Sequence, residues 1–187
     1  MKVAITGATG FLGRYLVSYL LDNLYDVLII TRGEERAKEY LPAGVNVYVT
    51  DYSFESLCEG LKEVETIIHL AAQTMQRDSD PFRVSQFFAV NITMTENLLL
   101  AAKQVGVQKV CQMSSNSVYS SENKIPFNEN DHAFESKRFP AITVPIRIKK
   151  TVRSSILDGF LANIIHSKNR LNHVNCIRIT IASEAEI

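Results

Sequence analysis

The sequence predicts an α/β fold in which helices cover both faces of a doubly wound parallel sheet of about six strands. Three observations predict it. Short apolar runs alternate with stretches of helical periodicity, some of these runs are apolar at successive positions, and a glycine-rich loop separates the first run from the first helix. Strands that are buried on both faces, as in parallel sheets, are apolar throughout.

The first part of the chain supplies three strands and two helices. Residues 3–6 form an apolar strand, and residues 11–23 carry apolar side chains at a helical spacing. Residues 27–30 form a second strand and residues 45–50 a third. Residues 53–64 are predicted to be helical, with the serine that opens this segment as the helix cap.

The next part of the chain continues the alternation. Residues 66–70 are a fourth strand that is buried on both faces. Pro81 opens a long helix, because proline is tolerated at a first helical position, and Gly106 ends it. Residues 109–113 are a fifth strand.

The last part of the chain completes the predicted sheet. Residues 146–168 have apolar side chains at a spacing of four, and residues 175–181 form a sixth strand. Strands that alternate with helices predict parallel pairing through right-handed crossovers. We therefore expect one domain over residues 1–187, with no separate substrate domain.

Composition excludes several classes of protein. Lys and Arg total 20 and so do Asp and Glu, so the neutral balance offers no general affinity for nucleic acid or an anionic membrane. Cys58, Cys111 and Cys176 form no C-x-x-C pair and are expected to be free, buried thiols in a reducing compartment. With no signal-like or membrane-spanning run, we expect a soluble cytoplasmic protein. No metal site is predicted.

One segment departs from this neutral balance. Residues 136–157 contain six basic residues and no Asp or Glu. Such a patch can hold an anionic ligand or nucleic acid. Phe139 is the only aromatic residue within it, so a solvated helix face is the favoured interpretation and no nucleic-acid partner is expected.

The glycine loop carries the strongest functional signal. Gly7 permits a tight turn off the first strand, Gly10 permits close approach of a pyrophosphate, and Gly13 permits close packing of the helix on the sheet. The helix that follows offers free N–H groups and its positive dipole end to phosphates. The loop therefore predicts a dinucleotide site of the Rossmann type, the alternative being a tight turn that binds nothing.

The end of the second strand bears on the choice of cofactor. A carboxylate there binds the ribose hydroxyls of NAD, whereas this chain has Thr31 and Arg32. An arginine grips the 2′-phosphate of NADP bidentately. The sequence therefore predicts NADP or NAD, with NADP slightly favoured, against the alternative of an arginine in solvent.

The glycine loop and four further segments share one family pattern in the same order. These are the loop 6–13, Asp51 after the third strand, the segment 69–72 with sequence His-Leu-Ala-Ala, Asn91 in the long helix, and the segment 114–119 after the fifth strand. Together they resemble the extended short-chain dehydrogenases, the NAD(P)-dependent epimerases and dehydratases typified by the sugar-nucleotide 4-epimerases. The resemblance covers residues 1 to about 120 and continues more weakly to 181.

The resemblance implies which residues bind and react. Ser115 takes the place of the catalytic serine, and Lys150 that of the catalytic lysine. The residues implied to line the cofactor are Gly7, Gly10, Phe11, Leu12, Gly13, Thr31, Arg32, Asp51, Tyr52, Leu70, Ala71, Ala72, Asn91 and Ser114.

Each matching residue also has an ordinary structural interpretation. Asp51 can cap the helix after it, His69 can be a satisfied core histidine, and Asn91 can satisfy buried backbone groups. Ser115, like the serine before it, can be a plain strand-end hydroxyl, and Lys150 a solvated helix lysine. The order of all the segments argues against chance.

The chain departs from the family at the reacting residues. The family uses a Tyr-x-x-x-Lys pair on the helix after strand five, where the tyrosine transfers a proton while hydride passes to the nicotinamide. This chain has no tyrosine after Tyr119. Alignment places Ile146 at the tyrosine position and Lys150 at that of the lysine. The family's carboxy-terminal sugar-nucleotide lobe is also not found in these 187 residues.

Three functions therefore remain open. The chain is an epimerase or dehydratase acting on a nucleotide sugar, a catalytically inactive NAD(P)-binding module that serves as a sensor or partner subunit, or a remnant that persists through self-association. A homodimer is implied by the family, with 98–100, Ile156, Phe160 and Ile164 as candidate contact residues, although core packing explains most of them equally well.

Overall fold

A computed structural model describes residues 1–73, 84–113 and 179–183 of the chain. Its strands are β1 (Lys2–Thr6), β2 (Asp26–Thr31), β3 (Asn46–Val49), β4 (Thr66–His69), β5 (Lys109–Met113) and β6 (Ile179–Ser183). All of them belong to one sheet, in the order β3-β2-β1-β4-β5-β6. In this order β1 is an interior strand, with β2 and β3 on one side and β4, β5 and β6 on the other.

The helices in this part of the chain connect the strands. They are α1 (Phe11–Asp22), α2 (Glu34–Tyr40), α3 (Phe54–Gly60), α4 (Val84–Phe88) and α5 (Met94–Val105). Residues Ala89–Thr93 form a π-helical turn between α4 and α5. Within the described ranges, none of these helices combines the length and the apolar character needed to cross a bilayer.

The predicted α/β architecture is confirmed. Strands β1 to β5 pair in parallel, and their alternate side chains enter two apolar layers. One layer joins Ile5 and Ile29 to Leu16 of α1, and the other joins Ile67 to Leu98 of α5. Because both faces of the sheet are covered, the interior strands β1, β2 and β4 are buried at successive positions, and these continuous runs are why they were predictable.

The sixth strand differs from the prediction. β6 occupies Ile179–Ser183, two residues beyond the predicted end at 181, and the predicted residues 175–178 lie outside the described residues. It pairs with β5 in the antiparallel sense, with Ile181 opposite Cys111. The apolar run indicates a strand but not its direction, since either direction has the same pattern. The predicted parallel sense depended on a helical crossover, and residues 114–178 lie outside the described residues.

Three helical details were also not predicted. The helix α2 is absent from the prediction because Ala37 is its one buried residue, which leaves no periodicity to detect. Helix α3 ends at Gly60 instead of continuing to residue 64, since the chain turns at Glu63 with φ of +64°. The long helix is interrupted by the π-helical turn, and Pro81 lies outside the described residues.

The thiols agree with the prediction only in part. Cys111 is buried in the core, and this burial raises the pKa of its thiol to about 12, so it stays protonated and unreactive. Cys58 is free but only half-buried, because it lies at the margin of a core layer. Cys176 lies outside the described residues.

Candidate functional site

The carboxyl ends of β1 and β4 lie level with each other at the point where the sheet's connections change direction. Thr6 pairs with Ile30 of β2 on one side and with His69 of β4 on the other. The chain moves outward through β2 and β3 and then returns to the far side of β1, so the connections after β1 and β4 lead to α1 and α5 on opposite faces of the sheet and leave a crevice at its carboxyl edge. Ligands of doubly wound sheets bind in this crevice.

Gly7 brings the loops after β1 and β4 into direct contact. Its φ of +70° lies in the left-handed region that favours glycine. A Cβ atom at this position would lie 2.6 Å from the backbone nitrogen of Ala71 and 2.7 Å from the carbonyl carbon of Leu70. No side chain fits here, so the predicted tight turn has a second function, which is to let two main chains touch.

The other two glycines shape the start of α1. A Cβ atom on Gly13 would lie 2.4 Å from the carbonyl oxygen of Gly7 and 2.6 Å from the Cα of Ala8, so the helix packs tightly against the loop. The N–H of Gly10 donates to the same Gly7 oxygen at 3.0 Å. A Cβ on Gly10 would meet only that oxygen, which leaves its other side open to an incoming group.

The first turn of α1 has no cap. Gly10 is its N-cap residue and has no side chain to accept N–H groups, and the first turn contains no acidic residue. The N–H groups of this turn, which includes Phe11 and Leu12, and the positive end of the helix dipole therefore suit an anion such as a pyrophosphate. The Phe11 ring is 53% exposed and meets Tyr15 edge-on, with ring centroids 5.5 Å apart.

The end of β2 is followed by a cation, Arg32. The hydroxyl of Thr31 donates to the carbonyl of Gly33 at 3.1 Å and fixes the turn into α2. Arg32 is exposed within this turn, and Glu34 and Glu35 follow it in the first turn of α2. Glu34 pairs with Lys38 at 2.9 Å, whereas Arg32 forms no ion pair with any residue in the described ranges.

The segment after β3 forms a tight turn at Asp51 and Tyr52. The Asp51 carboxylate accepts the backbone N–H and the hydroxyl of Ser53 at 2.9 and 2.6 Å, and these bonds hold the pKa of Asp51 below its usual value. Asp51 is exposed, so the carboxylate is a fixed, charged acceptor at the surface. The side chain that caps α3 is that of Ser53, as predicted, through the N–H of Ser56 at 3.3 Å.

Tyr52 is buried in a backbone conformation that its side chain disfavours. Its φ is +62°, which costs about 1–2 kcal/mol for a residue with a Cβ. Its hydroxyl donates to the Ile30 carbonyl at 3.2 Å, and its carbonyl accepts the side-chain amide of Asn97 at 2.9 Å. Burial raises the pKa of Tyr52 to about 12 in opposition to the nearby charge of Arg32, so the phenol stays neutral.

His69 lies at the centre of a buried hydrogen-bond network behind the crevice. Its Nδ1 bonds to the hydroxyl of Thr6 and its Nε2 to the hydroxyl of Thr95 on α5, at 3.0 Å. The Thr6 oxygen also accepts the N–H of Ala71 at 3.2 Å. Burial lowers the pKa of His69 to about 4, so the ring is neutral at pH 7. The interpretation as a satisfied core histidine is confirmed.

Asn91 lies in the π-helical turn and holds the loop after β4. Its side-chain oxygen accepts the N–H of Gln73 at 2.7 Å, and its amide donates to the Gln73 carbonyl at 3.0 Å. This two-bond clamp imitates a strand pairing. It fixes the segment that contains Leu70, Ala71 and Ala72, so Asn91 acts on the crevice through the backbone, as its structural interpretation predicted.

Several predicted residues lie outside the described ranges. These are Ser114, Ser115, Ile146, Lys150 and the whole basic segment 136–157. Within the described ranges, no group of three or more His, Cys, Asp or Glu residues is placed to hold a metal ion. Of the candidate dimer contacts, Leu98 is fully buried in the core and Leu100 is 57% exposed.

Three residues around the crevice were missed by sequence analysis as hydrogen-bonding partners. Thr6 and Thr95 hold His69 from two sides, and Asn97 holds the carbonyl of Tyr52. Nothing in the local pattern distinguishes them, since a threonine at a strand end is common and polar residues on a helix, such as Thr95 and Asn97, are ordinarily solvated. Their partners are far away in the sequence, at separations that only the folded sheet brings together.

Comparison with known families and structures agrees with this geometry. The sequence model of the NAD dependent epimerase/dehydratase family matches residues 3–141. The 3 beta-hydroxysteroid dehydrogenase/Delta 5→4-isomerase of Mycobacterium tuberculosis is 39% identical over 124 residues, which cover 63% of this chain and 32% of that protein. The chain spans less than half the length of the curated relatives it matches, with shares of 44%, 41% and 32% for the first three.

Solved structures show the same likeness. The UDP-N-acetylglucosamine 4-epimerase from Bacillus cereus is 30% identical with a TM-score of 0.59, over 72% of this chain and 47% of the other. MoeE5, solved in complex with UDP-glucuronic acid and NAD, is 29% identical with a TM-score of 0.58, over 72% of this chain and 43% of the other. These comparisons extend the likeness from the glycine loop to most of the sheet.

Proposed function

This chain belongs to the NAD dependent epimerase/dehydratase family, and on that premise we propose that it binds a nicotinamide adenine dinucleotide in the crevice between the loops after β1 and β4. The observation that carries the proposal is the glycine loop. Gly7 excludes a side chain where two loops touch, Gly10 is open on one side, and α1 begins without a cap. This cradle fits a pyrophosphate.

We propose separate contacts for the adenosine part of the dinucleotide and for its nicotinamide part. Asp51 offers a charged acceptor to the amino group of adenine. Arg32 follows the second strand, whose end contacts the adenosine ribose in folds of this type. Leu70, Ala71 and Ala72, held by Asn91, border the crevice on the β4 side. Ser114, which directly follows β5 in the sequence and lies outside the described residues, is proposed as a further contact. MoeE5 in its NAD complex supports NAD as the first ligand to test.

For the reaction, we propose two alternatives that share this binding step. When bound, a nicotinamide supplies hydride transfer, and the family acts on substrates such as nucleotide sugars. In that case Ser115 and Lys150 are the residues left to orient a sugar hydroxyl and the nicotinamide ribose. The second alternative is an inactive binding module, a sensor or partner subunit, and the observation that favours it is the lack of any tyrosine after Tyr119.

Calorimetric titration of the wild-type chain with NAD⁺ and NADP⁺ tests the proposal, and we expect micromolar binding of at least one. Gly10→Val should reduce the affinity of the preferred cofactor at least tenfold, since a branched side chain would fill the open side of the loop. Undiminished affinity in this variant, or no binding to the wild type, would contradict the proposed site.

Incubation with NAD⁺ and UDP-glucose or UDP-glucuronic acid separates the two alternatives. Loss of a general acid typically reduces the rate by about 10²- to 10⁴-fold. Binding without detectable epimer or reduced nicotinamide would therefore favour the inactive module. Turnover that depends on Lys150 would favour the enzyme.

The preference between the cofactors tests the role of Arg32. We expect Arg32→Ala to weaken NADP⁺ binding about tenfold and to leave NAD⁺ binding within about twofold, because the guanidinium is free to bind a 2′-phosphate. Arg36→Ala is the matched control, since the Arg36 guanidinium already lies 6.0 Å from the centre of the Tyr40 ring. Equal effects of the two variants on NADP⁺ would remove Arg32 as the determinant of the preference.

A further inference from the structure

We propose that Asn97 is a positioning residue for the adenine end of the bound cofactor and that it acts through the main chain of Tyr52. The inference rests on the proposed dinucleotide site. The observation behind it is a single contact between distant elements. The side-chain amide of Asn97, on α5, donates to the carbonyl oxygen of Tyr52 at 2.9 Å across 45 positions of sequence.

The Tyr52 backbone needs such a restraint. Its φ of +62° is unfavourable for a residue with a large side chain, so the turn persists only where its surroundings fix it. Three hydrogen bonds do so. The N–H of Tyr52 donates to the Thr50 hydroxyl at 2.9 Å, its phenol donates to the Ile30 carbonyl at 3.2 Å, and its carbonyl accepts from Asn97.

Only the bond from Asn97 comes from the other side of the turn. Ile30 lies in β2 and Thr50 directly follows β3, whereas Asn97 belongs to α5, which packs with α3 on one face of the sheet. The carbonyl of Tyr52 lies between the two, outside any helix or strand. Asn97 therefore fixes the direction in which the chain leaves the sheet and enters α3.

The position of Asp51 depends on the direction that this turn takes. It directly precedes Tyr52, and its carboxylate is fixed on the far side by the N–H and hydroxyl of Ser53. A rotation of the Tyr52 peptide would move the carboxylate relative to the crevice. Loss of the Asn97 amide should thus weaken the contact between Asp51 and the adenine amino group, while the pyrophosphate cradle is unchanged.

A thermodynamic cycle with two cofactors tests this inference. NAD⁺ carries the adenine amino group, and nicotinamide hypoxanthine dinucleotide has an oxygen in its place. We expect Asn97→Leu to weaken NAD⁺ binding about three- to tenfold, the range for loss of one hydrogen bond, and to change binding of the hypoxanthine analogue less than about twofold. Gln104→Leu, an amide replaced at an exposed position of the same helix, should change neither affinity.

The outcomes are separable. Equal weakening of both ligands would mean a merely structural role for Asn97, and unchanged NAD⁺ binding would mean no role, so either result overturns the inference. If Asn97→Leu does not fold, the nearly isosteric Asn97→Asp removes the donor and should give the same discrimination. A wild-type chain that binds neither dinucleotide would overturn the proposed function and this inference together, whereas the first two results leave the proposed function intact.

Discussion

Replacement of Gly7 by alanine is expected to lower the free energy of unfolding by about 2–5 kcal/mol and to abolish dinucleotide binding. Two effects add at this position. The left-handed backbone costs about 1–2 kcal/mol with any Cβ, and the new atom would overlap the Ala71 nitrogen at 2.6 Å, a clash of the kind that costs about 1–3 kcal/mol. Urea denaturation of the variant and the wild type measures the sum.

Two other glycines separate these effects. Gly44 has φ of +82° with nothing within 4 Å of its ideal Cβ, so Gly44→Ala should show only the backbone cost of about 1–2 kcal/mol. Gly33 has an extended backbone and equally open surroundings, so Gly33→Ala should stay within about 0.5 kcal/mol of the wild type. If Gly7→Ala lowered the free energy of unfolding no more than Gly44→Ala does, a Cβ at position 7 would not clash with the loop after β4. That result would contradict the close contact between the two loops.

The second large effect is a loss of stability in acid that depends on His69. Burial lowers the pKa of the folded-state imidazole to about 4 from its ordinary 6.5. Between these values the unfolded chain binds a proton that the folded chain does not. Stability is therefore complete above pH 6.5 and falls as the pH decreases toward 4, by about 3 kcal/mol in total.

Urea titrations at pH 7, 6, 5 and 4 measure this loss. His69→Gln lacks the titrating ring, so its stability should fall about 3 kcal/mol less than that of the wild type over this range. Thr95→Val is the matched control, because it removes the partner of Nε2 and keeps the imidazole. We expect it to be less stable than the wild type at pH 7 and to retain a steep pH dependence. Parallel curves for His69→Gln and the wild type would refute the assignment.

The strands and the glycine loop were predictable because local sequence specifies them. A strand with both faces covered is apolar at every position, and Gly7 and Gly13 are required by contacts that no other residue tolerates. By contrast, α2 has one buried residue, and the direction of β6 depends on the connection before it and not on its own side chains. Such features are set by tertiary structure.

The residues of the candidate site likewise fall into those that local sequence specifies and those that tertiary structure specifies. Gly10 and Arg32 were predicted from spacing, since a binding loop and a strand end have fixed positions in the pattern. The left-handed conformation of Tyr52 and its bond to Asn97 have no local signature, because a helix asparagine usually faces water. Residues that position the binding residues have no local sequence signature. They can be recognised only in the folded structure, where distant segments of the chain are in contact.

The interior position of β1 has a consequence for how the chain folds. Val3 pairs with Val27 on one side but must wait for Thr66 on the other, and the pairing of Thr6 with His69 spans 63 positions. Such separations give the fold a high contact order, and closing long loops slows folding. Of the described strands, β1 is synthesised first, and its edge toward β4 therefore stays open to other chains until β4 has been made.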